Sequence, residues 1–358
     1  MKGLTIIKTD HPKEKPQKGQ KLGFGVVFTD HMMIMEYDKG KGWHDARIVP
    51  YGPITISPAS TVLHYAQETF EGMKSYRAED GRVLLFRPEE NFKRLNTSNE
   101  RLCIPQLDVD FCVESLKELI MLEKDWIPTD PGASLYLRPM VIGNESRLGV
   151  KDADSYLYMV LCSPSGSYYE SGLKPVPIYV EKEYVRAVRG GFGFAKTGGN
   201  YACSMRAQME AHEKGYSQVL WLDGIERKYI GEVGAMNIFF VIDGEVITPE
   251  LDGSILAGIT RKSVIELLRE RGYTVTERKI AIQEIADAYA AGKLNEVFGT
   301  GTAAVISPVG ELRWGDDVMT INNGEIGPIS SWCYRMLTDI QWGRVKGPDG
   351  WSVEVGRM

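Results

Sequence analysis

Apolar and polar positions along this chain follow two periods, and the two alternate irregularly. Val83-Leu84-Leu85-Phe86 is a short apolar run of strand character. Asn91 to Leu102 reads as a helix, and Asp110 to Trp126 as a second, amphipathic one. Ser134-Leu135-Tyr136-Leu137-Arg138 and Tyr156 to Cys162 are rich in aromatic and aliphatic residues and predict strands. Further on, Ser204 to Lys214 predicts a helix with Gly215 as its stop, and Val219-Leu220-Trp221-Leu222 a buried strand. Met236 to Thr248 predicts a hairpin, with Asp243-Gly244 as its two-residue turn. Thr260 to Arg271 places Val264, Leu267 and Leu268 on one helical face before Gly272. Ile282 to Ala291 predicts another helix, and Glu296-Val297-Phe298 a strand feeding a glycine-rich turn.

Periodicity breaks at Ser163-Pro164-Ser165-Gly166-Ser167-Tyr168-Tyr169-Glu170-Ser171-Gly172. Its Pro, Gly and Ser content marks a linker. A chain of 358 residues also exceeds the usual size of one core. The expected organisation is a mobile Lys- and Pro-rich segment over 1–20, a small domain over 21–162, a linker over 163–174 and a large domain over 175–358. The irregular spacing of strands favours two α+β domains over a regular βαβ wheel.

Composition excludes more than it selects. A hydrophobic share of 43% and a charged share of 25% belong to an ordinary globular protein. The net charge of −6 argues against a nucleic-acid partner. No run of 18 apolar residues predicts a membrane span, and the N-terminus lacks the apolar core of a signal peptide. The five cysteines are scattered, without a Cys-x-x-Cys pair, which suits a reducing cytoplasm. The five histidines are equally dispersed, and no metal site is expected.

Candidate chemistry concentrates in five places. Lys196 stands among Gly190, Gly191, Gly193, Gly198 and Gly199, beside Asn200 and Tyr201. Glycines let backbone approach a ligand closely, and a desolvated lysine amine is a nucleophile towards carbonyls. Arg94 falls on a helix, as a phosphate clamp or a solvated arginine. Glu232 lies between apolar strand residues, as an edge glutamate facing water or as the partner of a protonated ring nitrogen. Ser254 to Arg261 leads into a helix whose first amides suit an anion, although Thr260 also serves as a plain N-cap. Gly299-Thr300-Gly301-Thr302 offers amides and hydroxyls to a phosphate or carboxylate. It also mimics a dinucleotide fingerprint, but too little chain follows it for a Rossmann half. A lysine, an acid for a ring nitrogen, an arginine and two anion loops together call for pyridoxal 5′-phosphate.

These residues carry a resemblance. The chain resembles the branched-chain amino-acid aminotransferases of pyridoxal-phosphate fold type IV, in their larger subgroup, from about residue 22 to about residue 343. The matching segments are Phe28-Thr29-Asp30-His31-Met32, Leu63-His64-Tyr65, Phe70-Glu71-Gly72-Met73-Lys74, Ser134 to Pro139, Lys196 to Tyr201, Glu232 to Asn237 and Gly299 to Ala303. The resemblance implies an α+β, two-domain fold-type-IV architecture, with a smaller N-terminal α/β domain and a larger C-terminal domain around a β-barrel-like core.

It also implies roles. Lys196 forms the internal aldimine and moves the proton between substrate Cα and cofactor C4′. Tyr201 meets the phenolic oxygen, Glu232 the pyridine nitrogen, and Leu256 packs on the ring. Arg94, the amides of Ile259 and Thr260, and Thr302 hold the phosphate. Tyr136 and the Thr302-Ala303 amides receive the α-carboxylate. Phe24, Tyr65, Phe70 and Tyr168 line the side-chain pocket, with Tyr65 supplied by the second subunit of a homodimer. Arg138 receives the distal carboxylate of glutamate. The implied reaction is ping-pong exchange between leucine, isoleucine or valine and 2-oxoglutarate, in the cytoplasm.

Two departures stand out. Ala235 replaces the Thr or Ser of many relatives, and Ala304 and Ser307 replace the redox cysteines of some animal members. Two readings compete. One is another fold-type-IV enzyme, namely a D-amino-acid aminotransferase, an aminodeoxychorismate lyase or an (R)-amine transaminase. The other is a non-catalytic binder of phosphate ligands, against which the intact Lys196 speaks.

Overall fold

The computed structural model describes residues 3–167 and 172–358, which group into two compact units. Residues 3–167, 195–198 and 339–358 form the first; residues 172–194 and 199–338 form the second.

The first unit is built on one large sheet. Its strands are β1 (Thr5–Ile6), β2 (His31–Asp38), β3 (Gly42–Pro50), β4 (Glu68–Phe70), β5 (Met73–Arg77), β6 (Arg82–Phe86), β7 (Ser134–Gly143) and β8 (Ser155–Ser165). They lie in the order β1-β3-β2-β8-β7-β5-β6, and β4 pairs with the far end of β7. All these pairs are antiparallel except β1 with β3. One face carries Met33, Ile48, Val83, Leu85, Leu135 and Leu137, all fully or nearly fully buried. Against it pack α2 (Pro88–Arg101), through Phe92 and Leu95, and α3 (Val109–Leu122), through Leu116, Leu119 and Ile120; the short helix α1 (Thr61–Tyr65) precedes them in the chain.

Both packed helices have clear start signals. Pro88 opens α2 with Glu89 and Glu90 in its first turn. The Asp108 side chain caps α3 by accepting from the Phe111 amide at 3.0 Å. Strand β7 runs straight through Pro139, beyond the five residues that the pattern predicts. Proline has no N–H to give a sheet. It is tolerated because the neighbouring strand is interrupted there: β4 ends at Phe70, β5 begins at Met73, and the Glu71 amide donates to the Pro139 carbonyl at 2.7 Å.

Residues 3–20 make several contacts with β2, β3 and the residues before β2. Thr5 and Ile6 pair with Arg47 and Ile48. The Thr9 amide donates to His31 Nε2 at 2.9 Å, the Lys13 amide to Asp30 Oδ1 at 2.8 Å, and Lys15 is ion-paired with Asp30. Lys13 and Lys15 find their carbonyl and carboxylate acceptors in Phe28, Thr29 and Asp30, just before β2.

The second unit holds β9 (Val176–Val180), β10 (Gln218–Leu222), β11 (Ile230–Val233), β12 (Asn237–Ile242), β13 (Glu245–Thr248), β14 (Val275–Glu277), β15 (Leu294–Gly301), β16 (Val305–Trp314) and β17 (Asp317–Thr320). Their order is β11-β10-β9-β16-β15-β12-β13-β14, with β17 on β16. A bridge between Val233 and Met236 links β11 back towards β12, so the first six strands curl into a barrel-like core filled by Ile178, Val180, Leu220, Ile238, Phe240, Val297 and Leu312. The helices from this half of the chain are α4 (Gly198–Ala202), α5 (Met205–Glu213), α6 (Ile259–Glu270), α7 (Ile282–Ala290) and α8 (Pro328–Gln341). The β12–β13 hairpin turns on Asp243 and Gly244, whose φ values of 52° and 84° are those of a type I′ turn.

The last strand departs from the expected boundary. β18 (Ser352–Arg357) pairs with β6 and extends the first sheet, so residues 339–358 belong to the first unit and not to a domain running from 175 to the end. Val353 and Val355 pack on the first core, a contact that period-2 patterning of a short segment cannot assign to one sheet or the other.

Candidate active site

In the first unit, the break between β4 and β5 turns Glu71 inward. Its side chain is fully buried. A buried carboxylate needs counter-charge and donors. Arg94 supplies both, through Nε to Oε1 at 2.7 Å and Nη2 to Oε2 at 2.9 Å. Asn91 Nδ2 and the Gly72 amide add bonds of 2.8 and 3.1 Å. Burial alone would push this carboxyl up. The charges of Arg94 and Lys196, with the donated hydrogen bonds, outweigh it and hold the group below the usual carboxylate range. Gly72 is obligatory, since a Cβ there would collide with the Tyr136 hydroxyl.

The same helix face fixes the lysine. Asn91, Arg94 and Ser98 follow one another at i, i+3 and i+7 on α2. Ser98 Oγ accepts from the Lys196 amide at 2.8 Å, and the Lys196 carbonyl accepts from the Phe70 amide at 3.0 Å. Lys196 is therefore pinned on both sides of its Cα. Its Nζ lies 4.8 Å from the centre of the Phe70 ring. Arg138 lies against the same ring, Cζ 4.7 Å from its centre, and donates from Nη2 to the Tyr136 hydroxyl at 2.9 Å. Phe24 packs edge-on to Tyr136 at 4.7 Å. Lys196, Phe70, Tyr136, Arg138 and Phe24 thus form one contact chain.

In the second unit, Glu232 is 4% exposed, which rules out the reading of an edge glutamate facing water. Arg186 is ion-paired with it, and Asn237 Nδ2 donates to it at 3.3 Å. The same Asn237 nitrogen donates to the Leu256 carbonyl at 2.9 Å. Arg186 is itself oriented by the Ser254 and Gly193 carbonyls, at 2.7 and 3.3 Å. Helix α6 begins with Gly258 at its N-cap and no side chain capping its first amides, those of Ile259 and Thr260. Thr260 is inside the helix, so it is not the N-cap. Such an end suits an anion. Tyr201 lies in α4, where its carbonyl accepts from the Ser204 amide at 3.0 Å.

The Gly299-Thr300-Gly301 run is strand rather than loop. A Cβ at either glycine would press on Met236, so both glycines serve β12–β15 packing. Only Thr302, Ala303 and Ala304 form the turn. Tyr65 is 38% exposed on α1, with its hydroxyl donating to the Leu148 carbonyl. Tyr168 lies outside the described residues. Sequence reasoning gave no role to Glu71, Glu68, Ser98 or Arg186. Their signal was present only as polar residues in otherwise apolar surroundings.

The family model described as Amino-transferase class IV matches residues 68–312. Branched-chain-amino-acid transaminase 1 of Bacillus subtilis (strain 168) is 58% identical over 97% of this chain and 98% of its own length. The chain belongs to the branched-chain-amino-acid aminotransferase family. The Mycobacterium tuberculosis branched-chain-amino-acid aminotransferase is 46% identical over 99% of this chain and 98% of its own. Among solved structures, Escherichia coli branched-chain amino acid aminotransferase superposes with a TM-score of 0.76 at 27% identity, over 91% of this chain and 99% of that one. A T.th. branched-chain amino acid aminotransferase, complexed with N-(5′-phosphopyridoxyl)-L-glutamate, gives 0.75 at 28%, over 95% and 100%. The fold of this family member is therefore fold type IV, with α+β content in both units.

Proposed function

We propose that this aminotransferase exchanges the amino group of leucine, isoleucine and valine with 2-oxoglutarate, using pyridoxal 5′-phosphate. The observation that carries the reading is the placement of one amine and one guanidinium against the same aromatic ring, Lys196 and Arg138 on Phe70. The ring and Phe24 offer apolar contact to a branched side chain, and removing its methylenes from water contributes about 0.8 kcal/mol each. Arg138 offers a planar donor pair to a carboxylate.

The residues fit the cofactor on their own chemistry. The uncapped start of α6 and Arg94 suit a phosphate, with the Ile259 and Thr260 amides and Thr302 as donors. Glu232, ion-paired with Arg186 and hydrogen-bonded by Asn237, suits a protonated ring nitrogen, with Tyr201 at the phenolic oxygen and Leu256 on the ring face. When bound, the cofactor supplies an electron sink for the charge left at the substrate Cα.

The chain's own work is then limited. Lys196 Nζ takes and returns the Cα proton, and its backbone bonds to Ser98 and Phe70 keep that amine in register. Tyr136 and the Thr302-Ala303 amides orient the α-carboxylate. Phe24 and Phe70 exclude water from the side-chain pocket.

Leu63, Tyr65, Leu148 and Val150 are exposed on the first unit, and Val150 reaches 85%. This apolar surface supports a homodimer in which Tyr65 serves the partner's pocket. Among the described residues, no helix is long and apolar enough to cross a membrane. The dispersed free cysteines suit a cytoplasmic enzyme.

An absorption spectrum tests the proposal. A visible band should bleach with L-leucine and return with 2-oxoglutarate. A band that answers only D-amino acids or simple amines would move the enzyme to another fold-type-IV activity.

A further inference from the structure

Glu68 opens β4, and nothing in the mechanism above uses it. It shares a strand face with Phe70, two residues on. Thr69, between them, points the other way and hydrogen-bonds the Asn99 side chain in the interior. On β7, Met140 stands opposite Phe70 and Ile142 opposite Glu68, so Arg138 lies on that same face, diagonal to Phe70. Glu68 Oε1 accepts from the Gly198 amide, and the Thr197 hydroxyl is 3.4 Å away. One carboxylate is thus tied to the two residues after Lys196 while sharing a strand face with Arg138.

The charged groups around it in this unit are few. Arg138 on β7 and Lys196 in the 195–198 segment are the cations against Phe70. Glu71, the other anion, is already matched by Arg94. Burial pushes the Glu68 carboxyl above its ordinary value, against the opposing pull of the Gly198 amide, Thr197 and Arg138.

We infer that Glu68 is a positioning residue that makes the choice between singly and doubly charged substrates depend on protons. The inference rests on the reading of Arg138 as the receiver of a distal carboxylate. Glu68 and Arg138 share a strand face without an ion pair, and a branched-chain acid leaves the attraction between them unopposed. When 2-oxoglutarate or glutamate binds, a second carboxylate arrives near the same guanidinium. Two carboxylates near one cation raise each other's proton affinity. Glu68 then takes one proton from solvent, and no covalent bond changes. Dianion binding therefore weakens as pH rises between the free and the bound proton affinities of Glu68. The branched-chain substrates carry no such penalty.

The test uses holoenzyme and reads kcat/KM for 2-oxoglutarate divided by that for 4-methyl-2-oxopentanoate, with one amino donor. Taking this ratio cancels any general loss of activity. In the wild type it should fall about threefold or more as pH rises from the ordinary carboxylate range into alkali. In Glu68→Gln, which keeps an acceptor for the Gly198 amide, it should be flat and higher than wild type at the alkaline end. Calorimetry of 2-oxoglutarate binding to the pyridoxamine form, in two buffers of different ionisation enthalpy, should show proton uptake that Glu68→Gln lacks. A pH-independent wild-type ratio, or an unchanged slope in Glu68→Gln, overturns the role of Glu68 alone. Arg138→Ala should lower the ratio at every pH. If it weakens both acceptors equally, the reading of Arg138 fails, and the Glu68 inference falls with it. If Glu68→Gln does not fold, the wild-type slope and proton uptake still decide.

Discussion

Each unit contains a carboxylate buried against an arginine, and the two pairs are built differently. Glu71 sits in a strand break, and its partners Arg94 and Asn91 come from one helix face that also holds the Lys196 amide through Ser98. Glu232 sits within β11, and its partner Arg186 comes from irregular chain and is steadied by two carbonyls of its own. Removing Glu71 takes two charge-assisted hydrogen bonds from Arg94. Removing Glu232 leaves Arg186 with acceptors. The first pair is thus built from a helix face that also sets the lysine's register, and the second from irregular chain.

The sharpest way to break this comparison is at the amine. Lys196→Ala should lower turnover by at least about 10³-fold while leaving thermal unfolding close to wild type. Near-normal transamination by that variant would remove Lys196 from the chemistry.

Next comes Glu71→Gln, which should cost about 3–5 kcal/mol in urea unfolding, because it removes one charge of a buried ion pair. Glu71→Leu with Arg94→Met should recover most of that loss. The pH sign follows from the depressed carboxyl. Its contribution is present above the unfolded carboxylate range and is lost as pH falls through the lower folded value. Acid should thus narrow the gap between wild type and Glu71→Gln; a gap that persists through acid would mean packing, not charge, holds Glu71.

Glu232→Gln should invert the pattern, with kcat down on the order of 10²-fold but stability down only about 1–2 kcal/mol. Equal stability losses at Glu71 and Glu232 would erase the distinction between the two pairs.

The one stabilising change is expected at Lys74, in β5. Burial pulls its amine down to about 8 from the ordinary 10.5. The folded state thus holds this proton less firmly than the unfolded one. The penalty is full below about pH 8 and fades as pH rises towards the unfolded value. Lys74→Met should gain about 1–3 kcal/mol near neutral pH, with the gain shrinking in alkali.

The pairs also mark what the sequence made legible. For the first pair the sequence offered the cation, Arg94, and hid the anion. For the second it offered the anion, Glu232, and hid the cation. A charge among apolar neighbours announces that it needs a partner, but the partner is 23 residues away in one case and lies in a segment without period in the other. Helices and the β12–β13 hairpin were legible because their signals are local, as with Gly215 and Gly272 at helix ends and Asp243-Gly244 in the turn. The run of β7 through Pro139 and the destination of β18 were not, because each depends on a strand distant in sequence; the β2–β3 hairpin was missed although its strands are adjacent in the chain. The Gly299 and Gly301 pair read as a ligand loop because glycine marks close approach without saying to what; here it is Met236.

The place of β18 has a consequence for synthesis. The sheet of the first unit starts with Thr5–Ile6, yet its edge beyond β6 is closed by Ser352–Arg357. A ribosome delivers residues in order, so β6 leaves the exit tunnel with one side unpaired and waits for nearly the whole of the remaining translation before that side is covered. During this interval the nascent chain presents an open strand edge, the kind of surface that chaperones shield and that neighbouring chains on one messenger can capture.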